Sequence, residues 1–185
     1  MRKIVLTFGL IAGAILSVIM LISMVFFHDQ IGFEAIGLLV GYTSMVLAFL
    51  MIYFGVRSYR DNVAGGKVGF GRAFAIGLLI TIVGSACYVA TWEVVYYKFM
   101  PDFADKYAAH EIAKAKATGA TDAQIEARTK EMASFQEMYR KPLYNIGLTF
   151  LEPLPVGLIF TLVTAGVLGR KRKEEAAPLA GAAAR

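Results

Sequence analysis

Residues 4–27 read IVLTFGLIAGAILSVIMLISMVFF and contain no charged side chain. As a helix rising about 1.5 Å per residue, this block reaches about 36 Å. That is enough to cross the roughly 30 Å hydrocarbon core of a bilayer. Arg2-Lys3 in front of it imitates the n-region of a signal peptide. However, the block exceeds the usual h-region of about 7–15 residues, and no A-x-A cleavage site follows Phe27. A retained anchor helix is therefore expected.

Three further apolar blocks follow. The second, 35–56, carries no charge. The third, 73–99, has one interior charge, Glu93, and the fourth, 143–169, has one, Glu152. The predicted fold is an all-α, four-helix transmembrane bundle within a single membrane domain, 1–173. The Ala-rich remainder, 174–185, is expected to be a disordered tail.

Composition agrees with this reading. Of 185 residues 57% are hydrophobic and 18% charged, with a mean hydropathy of +0.58. A soluble domain carries about 25% charge, so an ordinary soluble enzyme and a disordered chain are both excluded. The net charge of +5 is explained by basic cytoplasmic loops without invoking nucleic acid. Cys87, the single cysteine, lies inside an apolar block and can form neither an intramolecular disulfide nor a CxxC pair.

The loops set an expected orientation. Arg2 and Lys3 precede the first span, and residues 28–34 hold no Lys or Arg. The second connection holds Arg57, Arg60, Lys67 and Arg72, and Arg170-Lys171-Arg172-Lys173 follows the last span. Both termini are thus expected in the cytoplasm of a bacterial inner membrane. The tetrabasic run reads as a stop-transfer anchor that also meets lipid headgroups. The third connection carries eight Lys and Arg and seven acids on the predicted outer side, against the rule. The first helix and the tetrabasic run decide the orientation.

That connection predicts an extramembrane helical hairpin, 101–141, between the third and fourth spans. Pro101 ends the third span, 102–117 is a charged, alanine-rich helix, and Gly119 breaks it. Thr121-Asp122-Ala123-Gln124 has the form of a capping box that starts a second helix. On that helix Ile125, Met132, Phe135 and Tyr139 share one face. Such a hairpin either caps the bundle or offers a docking surface to a partner protein.

Candidate chemistry is sparse. Residues 65–72 are Gly-rich and basic but lack the phosphate-loop order and a preceding strand. His28 and His110 form no metal-binding spacing, and no G-x-S-x-G element occurs. No cofactor or metal is expected. GxxxG occurs at Gly9/Gly13 and Gly37/Gly41. The second continues through Ser44, Ala48 and Gly55 as a small-residue seam expected to pack a neighbouring helix.

Glu93 and Glu152 stand out, because a charge at mid-span costs about 2.5–3.5 kcal/mol. Both are expected near one depth, in a common polar pocket open towards the outer leaflet. Asn145, Thr149 and Glu152 form a stripe, and Tyr96 and Tyr144 are the nearest hydroxyls. The pair would share a proton or bind a cation in its place. Pro153 and Pro155 remove two backbone donors, leaving the carbonyls of Thr149 and Leu151 without their helical partners.

Several separated segments carry a resemblance. They are Gly41-Tyr42-Thr43-Ser44-Met45, Ser58-Tyr59-Arg60-Asp61, and Gly66 through Phe70 to Ala73-Phe74. Trp92-Glu93 and Leu151-Glu152-Pro153-Leu154-Pro155-Val156-Gly157-Leu158 complete the set. In this order they resemble a bacterial membrane-protein family known as domain of unknown function 4199, over most of residues 1–173. The resemblance implies four spans with a longer connection between the third and fourth, and implies no activity. Where the family pattern often has a bulky residue before the final proline, this chain has a second proline at 153.

Three functions follow as expectations. The first is a non-enzymatic scaffold or regulatory protein acting through the seam and hairpin, with membrane lipids, a partner protein or a second copy as its contacts. The second is a small transporter or proton- or cation-coupled permease using the carboxylates. The third and weakest is a metal-assisted membrane enzyme.

Overall fold

The computed structural model describes residues 1–27 and 35–169 and is helical throughout, with no strand among these residues. The elements are α1 (Arg2–Phe27), α2 (Ala35–Asn62), α3 (Phe70–Phe99), α4 (Phe103–Ala117), α5 (Asp122–Tyr139), α6 (Pro142–Leu151) and α7 (Leu154–Leu168). Helices α1, α2, α3 and the α6–α7 pair are each long and apolar enough to cross a membrane. The expected bundle is therefore present. His28, the tetrabasic run and the tail lie outside the described residues.

Two spans run further than their apolar blocks. Helix α2 continues to Asn62, with Arg57 and Asp61 pairing at 3.5 Å one turn apart. Helix α3 begins three residues early, at Phe70. Backbone hydrogen bonding does not stop where hydropathy does, and polar side chains continue the helix into water. Between the two helices Gly65 and Gly66 take φ of 62° and 83°, a left-handed conformation that glycine adopts without steric cost.

In lipid, apolar surface alone does not drive helices together, so close approach and interhelical hydrogen bonds decide the packing. Helix α1 meets α3 through Gly9 and Gly13. A Cβ at Gly9 would fall 2.7 Å from Val83 Cβ, and one at Gly13 would fall 2.5 Å from Cys87 Cβ. Ser17 and Thr91 hydroxyls meet at 2.7 Å along the same interface. Helix α7 meets α3 through a reciprocal arrangement. Gly157 faces Thr81 and Gly77 faces Thr161, while the two threonine hydroxyls lie 3.4 Å apart. Helix α2 closes the bundle with Phe49, Ile52 and Val56, all fully buried beside Ile76 and Ile80.

The fourth span is interrupted at Glu152-Pro153 but keeps right-handed helical dihedrals there, with φ/ψ of −60°/−53° and −78°/−16°. The prolines therefore cut hydrogen bonds rather than turn the chain, and Gly157 N–H resumes the ladder by donating to Pro153 O at 3.0 Å.

The hairpin forms as the local sequence dictates. Gly119, with φ 78°, ends α4. Thr121 and Gln124 make the reciprocal capping box, with the Thr121 N–H donating to Gln124 Oε1 at 2.9 Å and the Gln124 N–H to Thr121 Oγ1 at 3.4 Å. Asp105 ties α4 to α5, accepting from Gln136 and Arg140 at 2.8 Å each. Glu111 pairs with Arg128 in the same hairpin. The apolar face of α5 is turned inward: Met132 and Tyr139 are buried, and Tyr139 packs with Tyr96 of α3 and Ala104 of α4. The hairpin thus docks on its own bundle.

Candidate functional site

The docking contact is aromatic. Trp92 of α3 meets Phe103 edge-on at 4.9 Å, and Phe103 lies 5.6 Å from Tyr139. Tyr139 in turn meets Tyr96 edge-on at 5.5 Å and Phe135 in a tilted arrangement at 5.1 Å. Such pairs contribute about 0.5–1.5 kcal/mol each beyond the area they bury. The cluster fixes α5 over the C-terminal end of α3 and the start of α6.

Beneath it runs a polar chain. The Trp92 indole N–H forks between Tyr139 Oη at 3.0 Å and Asn145 Oδ1 at 3.1 Å. Thr149 Oγ1 also donates to Asn145 Oδ1, at 3.3 Å. An indole N–H can only donate, so it fixes which end of the Asn145 amide faces Trp92. The opposite end, Nδ2, is buried with no hydrogen-bond partner, an arrangement that costs about 1–3 kcal/mol. Burial raises the Tyr139 phenol above its ordinary range, so it remains a neutral hydroxyl.

Next to this chain a cleft of about 430 Å³ opens between α2 and α6, roofed by the hairpin. Half of its fourteen lining residues are aromatic, drawn from α2, α3, α4 and α5. Glu152 is the one charged residue among them. Its Oε2 accepts a hydrogen bond from the Tyr88 hydroxyl at 3.0 Å, joining α3 to the proline interruption of the fourth span. The arrangement holds one carboxylate, oriented by a phenol, on an aromatic wall.

The shared pocket expected for Glu93 and Glu152 is not formed. Glu152, Thr149 and the Tyr88–Trp92 face of α3 line the cleft; Glu93 does not. Five residues beyond Tyr88, Glu93 sits about 140° further round the helix, with a buried Oε1 that has no hydrogen-bond partner. Similar depth placed the two carboxylates together in the sequence reading, whereas direction round α3 separates them. Tyr96 belongs to the aromatic cluster and Tyr144 is partly exposed outside the cleft. Tyr88 and Tyr139 occupy the positions expected for those two. Tyr88 carries a sequence signal, its i, i+4 spacing to Trp92, but only the α3–α6 crossing gives that spacing a meaning.

The small-residue seam also divides. Ser44 and Ala48 are buried, and Ser44 Oγ donates to Gly41 O at 2.6 Å. Gly37 and Gly41 instead line the cleft, and a Cβ at Gly41 would meet nothing within 4 Å. The Gly37/Gly41 part of the seam therefore borders space rather than a packed helix. Gly55, at the far end of the seam, is closely packed, a Cβ there falling 2.5 Å from Ile80 Cδ1, and of the two GxxxG pairs Gly9/Gly13 makes the close interhelical contact. Among the described residues no group of three or more His, Cys, Asp or Glu is placed to hold a metal ion.

Neither a curated protein nor a solved structure matches the chain. The model of the family described as Protein of unknown function (DUF4199) matches residues 7–170, which takes in the four apolar spans but for the first residues of α1, together with the hairpin and the cleft. The chain belongs to that family.

Proposed function

We propose that this multi-pass membrane protein is a small proton- or cation-coupled permease or binding protein that works through Glu152. The observation that carries the reading is the Tyr88–Glu152 hydrogen bond at 3.0 Å inside the cleft between α2 and α6. A carboxylate in an apolar span is costly unless it is neutralised or paired. A proton or a bound cation at Glu152 meets that requirement, and exchange of one for the other is the elementary step of coupled transport. Tyr88 orients the carboxylate, while the missing backbone donors of Pro153 and Pro155 loosen the helix beside it. The scaffold reading has less to draw on, because Phe135 and Tyr139 of the apolar face of α5 pack against the bundle.

The protein has a built-in reporter. Trp92 is its single tryptophan and lines the same cleft as Glu152. Its emission should change with pH in the purified protein, and Glu152→Gln should remove that change while preserving the melting temperature. An unaltered pH response in the variant would leave Glu152 without a coupling role.

The proposed location is the bacterial inner membrane with both termini cytoplasmic, supported by the basic residues at 2–3, 57–72 and 170–173. In a Cys87→Ala background, cysteines at Lys3 and Lys67 should resist an impermeant thiol reagent in intact cells, and one at Lys114 should react. The inverse pattern would reverse the orientation.

A further inference from the structure

A second cleft, of about 200 Å³, adjoins the first. It lies between α1, α2 and α3, and its own walls are mainly apolar and methionine-rich, including Leu16, Met20, Met24, Val40 and Met100, with Ser23 and Ser44 as the polar members. The two clefts share Gly37, Gly41, Met45, Tyr88, Trp92 and Phe103. Both border the Gly41 backbone, beside which a Cβ would meet nothing within 4 Å. One chamber offers aromatic faces and a carboxylate; the other offers flexible apolar side chains.

We infer that the joined clefts bind a hydrophobic organic monocation, its charged centre beside Glu152 and its apolar substituents reaching past Gly41 into the methionine-lined chamber. This inference rests on the reading of Glu152 given above and names the ligand class. Charge complementarity carries it. Among the described residues that line either cleft, Glu152 is the only acidic side chain, and no Lys, Arg or His opposes a cation. Aromatic faces attract a weakly hydrated cation through the ring quadrupole, with Trp the strongest of the three. A compact, strongly hydrated ion has no comparable reason to leave water for such walls. Methionine side chains adapt to irregular apolar shapes. The first cleft alone falls in the range of about 300–1,000 Å³ that holds small organic ligands.

The test uses two probes of nearly the same size and shape but opposite charge, tetraphenylphosphonium and tetraphenylborate. Each is titrated against Trp92 emission of the full chain in phosphatidylglycerol nanodiscs. The phosphonium should quench saturably and the borate should not. Glu152→Gln should weaken phosphonium binding tenfold or more. Gly41→Leu should weaken it as well while keeping the wild-type melting temperature, because a side chain there has room. Equal quenching by both probes, or wild-type phosphonium affinity in Glu152→Gln, would overturn the inference. A Glu152-dependent pH response without phosphonium binding would overturn this ligand class and leave the titrating cleft standing. Loss of phosphonium binding on moving to phosphatidylethanolamine nanodiscs would overturn it too, assigning the site to a lipid ammonium headgroup.

Discussion

Gly157→Ala should cost about 1–3 kcal/mol of stability, the usual range for overpacking a tight interior. The added Cβ would stand 2.3 Å from Thr81 Cγ2 and 2.9 Å from its hydroxyl. Thr81 is fully buried, and its hydroxyl donates to Gly77 O at 3.0 Å. The side chain is short and has no long, flexible end to move aside, so α3 and α7 must separate. Thr81→Ala in the same chain removes both clashing atoms and should restore most of the loss. Gly147→Ala, where a Cβ meets nothing within 4 Å, should leave the melting temperature unchanged. Thermal denaturation of the wild type, Gly157→Ala, Thr81→Ala, the double variant and Gly147→Ala in detergent checks this. Additive losses in the double variant would mean that the two helices do not meet through this pair.

Tyr139→Ala should release the hairpin. Truncating a buried aromatic side chain costs about 3–5 kcal/mol. Here it also removes one acceptor of the Trp92 indole and the ring that joins Tyr96, Phe103 and Phe135. The four spans do not depend on that ring, so helix content should fall little. Amide hydrogen exchange should rise selectively across α4 and α5. Tyr139→Phe keeps the ring and should stay near wild type, since Asn145 still accepts from Trp92. Uniform exchange in Tyr139→Ala and wild type would show that the hairpin is held by other contacts.

Much of the architecture is legible in the sequence because it is local. Long uncharged blocks require helices once a bilayer is the solvent, since every backbone polar group must be satisfied within the segment. Gly119 and the Thr121–Gln124 box announce the hairpin's turn for equally local reasons. The site is less legible because it depends on which helices cross. The depth of Glu93 and Glu152 along their helices could be counted, but their directions around them could not be compared without the α3–α6 crossing. The same holds for the two GxxxG pairs. The sequence singles out Gly37/Gly41 as the packing seam. In the structure Gly9 and Gly13 face Val83 and Cys87, on a helix about seventy residues away. The open side of Gly41 was invisible for the same reason, since small residues allow both close packing and a cleft.

The central claim is that Glu152 gains and loses its proton inside the cleft while hydrogen-bonded to Tyr88. Infrared difference spectra of the purified protein, recorded between alkaline and acidic samples, test it most directly. A carboxylic C=O band should appear on acidification, vanish in Glu152→Gln and shift in Tyr88→Phe, where its hydrogen-bond donor is lost. Carboxyl bands identical in wild type and Glu152→Gln would contradict the account.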